Sequence, residues 1–149
     1  MGSEGVRIDV VTSRGAAAEA AHLFDDPLVE ASLDAFLADD RHHLLIAYVD
    51  GEPAGFVSGV ELFHPDKPKP EMFLYEMGVD EAFRGRGVAT GLVRRLVEFG
   101  RERGCGTMFT LADEDNEAAK ATYRKAGGET EPAGIMFVWS LDEVPEMNG

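Results

Sequence analysis

The chain has 149 residues, 44% of them hydrophobic, which suits a single domain over residues 1–149 with a sizeable core. Its 28 acidic against 14 basic residues give a net charge of −14, which argues against a nucleic-acid partner and for attraction of a cationic small molecule; a solubility surface is the alternative meaning of the same excess. No stretch has the apolar length of a bilayer span, the N-terminus lacks a basic-then-apolar leader, and the single cysteine, Cys105, cannot form an internal disulfide, so a reducing, cytoplasmic location without a membrane partner is expected.

In chain order, Val6 to Val11 alternates as an edge strand does, and Gly15 to Phe24 is an alanine-rich helix. Pro27 to Leu37 reads as a second helix with Pro27 in its first turn, ended by Asp39-Asp40-Arg41. Leu44 to Val49 and Ala54 to Leu62 are apolar strands joined by Asp50-Gly51-Glu52-Pro53, a hairpin signal. The loop from His64 to Pro70 carries Pro65, Pro68 and Pro70 and cannot pair as a strand. Met72 to Val79 is the next strand, and Thr90 to Arg103 is an amphipathic helix with Val88, Leu92, Leu96 and Phe99 at helical spacing and Gly104 at its close. Thr107 to Ala112 is nearly all apolar, as in a strand covered on both faces. Asp115 or Asn116 caps a short helix that runs to Ala126 and stops at Gly127-Gly128; Ile135 to Leu141 is a last strand, and Asp142 to Gly149 a polar tail.

Between the Met72–Val79 strand and the following helix lies Arg84-Gly85-Arg86-Gly87-Val88-Ala89. Glycines at 85 and 87 let the backbone turn tightly without a Cβ in the way, so successive N–H groups can converge on one anion, aided by the dipole of the helix that starts there. Taken alone, the run is also compatible with a solvated turn. A Walker loop is excluded because Gly87 is followed by Val88-Ala89 rather than Lys-Ser/Thr, and a dinucleotide fingerprint fails at its third glycine, where Thr90 stands.

The motif Arg84-x-x-Gly87-x-Ala89 resembles the acetyl-CoA signature of the GNAT superfamily of N-acetyltransferases, and Asn116-x-x-Ala119-x-x-x-Tyr123-x-x-x-Gly127 resembles that superfamily's following motif. The element order β-α-α-β-β-β-α-β-α-β over nearly the whole chain is also that of the GNAT fold. The resemblance implies an α/β (α+β) fold with a mixed central sheet of about six to seven strands flanked by about four helices. Tyr75 to Val79, Ala112-Asp113 and Tyr123 most resemble type I aminoglycoside 3-N-acetyltransferases, which implies a 3-amino group as acceptor. After Gly127 the chain departs from the family, since Gly128-Glu129-Thr130-Glu131-Pro132 replaces an apolar residue; the strand that follows is expected to be short or splayed.

Acetyl transfer from acetyl-CoA to an amine needs a polarised thioester carbonyl, a neutral amine and a proton for the leaving thiolate. The resemblance implies that the backbone N–H groups of Met77, Gly78 and Val79 polarise the carbonyl and that Arg84, Gly85, Arg86, Gly87, Val88, Ala89, Thr90 and Asn116 hold the coenzyme. Tyr123 is the candidate acid, because a phenol stays protonated at neutral pH; packing against Ala119 is its alternative role. Glu76 is the candidate base: strict alternation places it on one face with Met72, Leu74 and Gly78, where burial would raise its pKa, and a structural acid is the alternative. Glu76, Asp113, Glu114 and Asp115 are candidates for binding substrate ammonium groups, although Asp115 equally suits a helix cap. Asp39, Asp40, His64 and Asp66 lie in loops that could border the acceptor, and His42-His43 has no metal-ligand spacing, so no metal is expected. The expected partner is a cationic small-molecule amine, an aminoglycoside leading, with a homodimer left open. A protein N-terminus, a lysine, a small amine metabolite, or an acyl-CoA-binding module without catalysis are the competing readings.

Overall fold

The computed structural model describes residues 5–132 and 134–142. Its elements run β1 (Val6–Val10), α1 (Arg14–Glu19), α2 (Glu30–Ala38), β2 (His42–Val49), β3 (Glu52–Leu62), β4 (Glu71–Val79), α3 (Val88–Glu102), β5 (Thr107–Phe109) and α4 (Glu117–Lys125). The strands form one mixed sheet in sequence order, antiparallel from β1 through β4 and parallel between β4 and β5. This is the α/β arrangement expected, with five strands among the described residues instead of six or seven. Among those residues no helix is long and apolar enough to cross a membrane, and no group of three or more His, Cys, Asp or Glu could hold a metal ion.

Period-two alternation explains why β2 is apolar almost throughout: its two faces serve two cores. Leu45, Ala47 and Val49 join Val57, Met72 and Leu74 against Val88, Leu92, Val93 and Leu96 of α3, while Leu44, Ile46 and Tyr48 join Phe56 against Ala17 and Ala20. Close approach of α3 needs glycine in β3: a Cβ at Gly59 would lie 2.8 Å from Met72 Sδ and 3.2 Å from Leu96. Asp50 and Gly51 are both left-handed, as a two-residue hairpin loop requires. Pro53 is tolerated in β3 because it stands opposite a register shift at Ala47/Tyr48.

Several boundaries differ from the sequence expectation for local reasons. The first helix breaks after Glu19 because the Ala20 N–H turns to Ala17 O, and a separate 3-10 turn follows at Ala21–Leu23. The second helix starts at Glu30, so Pro27 lies outside it; Arg14 on α1 pairs with Glu30 at 2.7 Å and with Asp34 one turn later. The strand expected over Thr107 to Ala112 ends at Phe109 and is not covered on both faces, since Phe109 and Leu111 are exposed. Thr110 ends it: its hydroxyl donates to Leu74 O at 2.9 Å, taking an acceptor that a continuing backbone ladder would use. Ile135 to Leu141, expected as a strand, forms no strand among the described residues; of the polar tail, residues 143–149 lie outside the described residues.

At the end of the sheet away from the α3 N-terminus, a buried polar cluster joins three elements. Glu61 is 3% exposed, with Oε2 2.5 Å from His43 Nε2 and accepting from Arg103 Nε at 2.8 Å, while Arg103 Nη2 donates to Asp40 O at 3.0 Å. The buried carboxylate compensates the half-exposed Arg103 cation and the buried imidazole, and it ties the C-terminus of α3 to β2 and β3. Cys105 packs beside this cluster, and burial pushes its thiol up.

Candidate active site

The site begins with an irregularity in β4. Ser58 stands opposite Glu76 but Gly59 stands opposite Leu74, so Tyr75 has no partner and a bulge interrupts the strand. The bulge resets the alternation: Met72 and Leu74 before it, and Met77 and Val79 after it, all pack on the α3 side. The expectation that Glu76 shares a buried face with Met72 and Leu74 is therefore overturned, because strict period two does not survive an extra residue. Glu76 is exposed; its backbone N–H donates to Ser58 Oγ at 3.1 Å. Any base role of Glu76 rests on its position alone.

Beyond the bulge, β4 and β5 part. They pair only from Glu71↔Thr107 to Phe73↔Phe109, so the β5-facing edge of β4 is open from Leu74 onward apart from the Thr110 hydroxyl. Asp80 N donates to Ala54 O at 2.8 Å, and Glu76 N also points toward β3. Since successive N–H groups of a strand alternate edges, those of Met77 and Val79 face the opening while that of Gly78 faces β3. Of the three expected main-chain donors, two are placed to act. The opening lies at the C-terminal ends of the two parallel strands, where ligands of α/β crossovers gather.

The Arg84–Ala89 turn borders the same opening. Gly85 and Gly87 adopt φ of 80° and 77°, and Gly87 caps α3 without a side chain. A Cβ on either glycine would meet nothing within 4 Å beyond its chain neighbours, so the space beside each is open. Among the described residues, the N–H groups from Gly85 to Thr90 have no backbone acceptor; the first α3 bond is Gly91 N to Gly87 O at 2.9 Å. Consecutive unpaired donors, open space beside the two glycines and a helix dipole fit a pyrophosphate. Arg84 lies back along β4, its Nε 3.4 Å from Val79 O, and the Arg86 guanidinium stacks over Phe83 at 5.5 Å. Val88 and Thr90 turn into the core, so any part they take in ligand binding is through their backbone.

The helix α4 packs on the α3 side of the sheet, with Tyr123 and Ala126 against the same core as Met77 and Val79. Asn116 caps it, Oδ1 accepting from Ala119 N at 3.1 Å, which leaves its amide nitrogen as the group able to reach a ligand. At its other end Gly127 has φ of 98°, Gly128 N donates to Tyr123 O at 2.8 Å, and Arg94 of α3 donates to Lys125 O at 3.0 Å. Arg94 is thereby committed to holding α4. The Tyr123 hydroxyl makes no hydrogen bond among the described residues. Asp113, Glu114 and Asp115 form an exposed loop before α4; the Glu114 carbonyl accepts from Lys120 Nζ at 2.7 Å, and none of the three carboxylates is drawn into a cleft.

On the opposite face of β4 lies a cleft of about 290 Å³ lined by Phe36, His42, Ser58, Gly59, Val60, Phe73 and Tyr75. Its walls are aromatic: Phe36 meets His42 edge-on at 5.3 Å, Phe73 meets Tyr75 at 5.4 Å, and Phe109 stacks on Phe73 at 4.7 Å. Sequence reading missed this wall; Phe73 and Tyr75, two apart on one strand, were its visible trace. Of the loop residues expected near an acceptor, Asp39, His64 and Asp66 are occupied by local pairs. Asp39 pairs with Arg41, His64 with Glu71 at 2.9 Å, and Asp66 with Lys67.

Comparison with known proteins bears on these features together. The profile of the Acetyltransferase (GNAT) family matches residues 13–128. The chain is 33% identical to the N-alpha-acetyltransferase RimI of Mycobacterium tuberculosis over 103 residues, which cover 69% of this chain and 62% of that protein. Among solved structures it resembles the aminoglycoside acetyltransferase meta-AAC0020 from an uncultured soil metagenomic sample, in complex with sisomicin, at a TM-score of 0.85 and 17% identity, covering 93% of this chain and 98% of that one. It also resembles the aminoglycoside N-acetyltransferase AAC(6')-Iy in complex with CoA, at a TM-score of 0.73 and 21% identity, covering 90% and 99%. The narrower expectation of a 3-N-acetyltransferase is not among these likenesses.

Proposed function

The chain belongs to the GNAT acetyltransferase family, and on that premise we propose that it transfers the acetyl group of acetyl-CoA to a primary amine of a cationic small molecule, an aminoglycoside leading. The observation that carries this reading is the row of unpaired N–H groups from Gly85 to Thr90 beside the opening between β4 and β5. Acetyl-CoA supplies the activated thioester. Gly85 to Thr90 hold its pyrophosphate through main-chain donors, and the N–H groups of Met77 and Val79 polarise the carbonyl as negative charge develops on its oxygen. Tyr123 donates its phenolic proton to the departing sulfur. Glu76, exposed at the bulge, takes the amine proton directly or through water, and Asp113, Glu114 and Asp115 attract the acceptor's other ammonium groups from the rim.

The sisomicin-bound neighbour supports the aminoglycoside class, as does the net charge of −14. A second reading has its own observation. The cleft beside Tyr75 is aromatic and carries no carboxylate, which suits an apolar side chain next to the attacking amine, as at a protein N-terminus; the mycobacterial relative is named for that chemistry. Thiol release measured with acetyl-CoA across aminoglycosides, N-terminal peptides and simple amines tests both. For an aminoglycoside acceptor, its KM rises with ionic strength while that for acetyl-CoA changes much less. Preference for a neutral peptide with an apolar first residue removes the aminoglycoside reading. Product mapping then distinguishes the 3-amino position implied by the sequence resemblance from the 6' position in the name of AAC(6')-Iy.

A further inference from the structure

The buried polar side chains of the sheet serve different ends. His43 and Glu61 satisfy each other at one end of it, whereas Ser58, 5% exposed in the run Phe56-Val57-Ser58-Gly59 of β3, gives its hydroxyl oxygen to the backbone of another strand. A hydroxyl buried there costs stability unless it is hydrogen-bonded. The bond it makes is with Glu76 N–H at 3.1 Å, and that amide lies directly after Tyr75, the residue of β4 without a partner in β3. Val57 packs on the α3 side, so alternation puts Ser58 on the other face, where it lines the aromatic cleft. Ser58 thus stands between that cleft and the strand that carries the candidate carbonyl donors.

We propose that Ser58 is a positioning residue for acetyl transfer: its hydroxyl pins the bulge at Tyr75 and so keeps the Met77 and Val79 N–H groups aimed into the opening between β4 and β5. This rests on the reading that those two groups polarise the thioester carbonyl. The Leu74 carbonyl faces the β5 side, where it accepts from Thr110. Strict alternation from Leu74 would put Met77 N–H toward β3 and turn the Glu76 side chain into the α3 core, so the extra residue is what aims the donors. Ser58 holds that arrangement from β3 by accepting from the amide that follows the extra residue. Donors act on developing charge because they are aimed beforehand, and a loosened bulge forfeits that aim. The Gly85–Thr90 turn lies outside the bulged segment, so coenzyme affinity and the aim of the carbonyl donors are separable.

The experiment compares the full-length protein with Ser58→Ala, which removes the acceptor, and Ser58→Thr, which keeps it. Without ligand, Ser58→Ala is expected to speed hydrogen exchange of the Glu76 amide, followed by NMR, roughly 2- to 12-fold relative to amides of β2, as loss of one neutral hydrogen bond implies. With acetyl-CoA labelled at its carbonyl, isotope-edited infrared spectra of the complex should show a lowered carbonyl frequency in the unaltered protein and a smaller lowering in Ser58→Ala. Calorimetry should give the two the same acetyl-CoA affinity. In thiol release kcat falls, at most by the roughly 100- to 1,000-fold of one lost donor, while KM for acetyl-CoA holds. Ser58→Thr should restore exchange, frequency and kcat together. Unchanged Glu76 exchange in Ser58→Ala overturns the proposal, and so does faster exchange with carbonyl frequency and kcat unaltered, which makes Ser58 a structural residue only. Should Ser58→Ala not fold, Ser58→Cys, similar in shape and a poorer acceptor, is read in the same ways. An unaltered protein that binds no acetyl-CoA overturns the acetyltransferase reading and this role with it, and the ligand-free exchange result tells that failure from a bulge that Ser58 does not hold.

Discussion

The sheet has two unequal parts, and the difference separates what holds the molecule together from what it does. From β1 to β4 the strands are up to 11 residues long, packed on both faces, and interrupted only at bulges. Beyond β4 the chain changes character: β5 has three residues, α4 has no fully buried residue, and residues 134–142 are apolar and uncovered. Burial of apolar surface on both faces stabilises the first part, whereas the second is held by the partly buried Met108, Tyr123 and Ala126, three ladder pairs, the Asn116 cap and the Arg94–Lys125 contact. The candidate chemistry sits at the seam. The Gly85–Thr90 turn belongs to the rigid side and Tyr123 to the lightly held side, so a ligand spanning both would order the second against the first.

Substitutions on the two sides of that seam should therefore fail in different ways. The largest effect is expected at Gly87, where φ of 77° strains a branched residue and its side chain would fill the open space proposed for the pyrophosphate. Gly87→Ile should abolish acetyl-CoA binding in calorimetry while circular dichroism stays native; unchanged affinity in a folded variant would remove the coenzyme from this turn. Across the seam, Tyr123→Phe keeps the ring against the core but removes the proton. Its kcat should fall roughly 100- to 10,000-fold with acetyl-CoA affinity little altered, and a loss below about threefold would make Tyr123 a packing residue.

Far from the seam, the comparison predicts damage to stability without damage to binding. Glu61→Leu leaves Arg103 and His43 facing each other without their carboxylate and should cost about 3 kcal/mol by urea unfolding, with acetyl-CoA affinity preserved. A loss of affinity equal to the loss of stability would show that the two ends of the sheet are coupled. The smallest effect is expected at Asp39, which the Arg41 side chain, then its backbone N–H, hold down to about 2. Because the folded value is depressed, its contribution is whole above the ordinary carboxylate value of about 4 and is lost as pH falls from there through about 2. Asp39→Asn should flatten only that acid limb of the urea midpoint against pH. An exposed pair contributes little elsewhere.

Local pattern in the sequence was enough to place β1 to β4, the α3 helix with its Val88, Leu92 and Leu96 face, the glycine turn before it, and the helix from Asn116 to Gly127 that carries Tyr123. These features depend on residues near one another in the chain: periodicity, a cap, a left-handed glycine. Only the tertiary structure decided the face of Glu76, the direction of the Met77 and Val79 N–H groups, the aromatic cleft of Phe36, His42, Phe73 and Tyr75, and the cluster around Glu61. Each needs partners distant in sequence. The bulge at Tyr75 arises from how β4 registers on Ser58 and Gly59, and the early end of β5 from Thr110 reaching Leu74. Residues 135–141 show the boundary most clearly, since their sequence specifies a strand but a strand exists only where an edge accepts it, and among the described residues they pair with none.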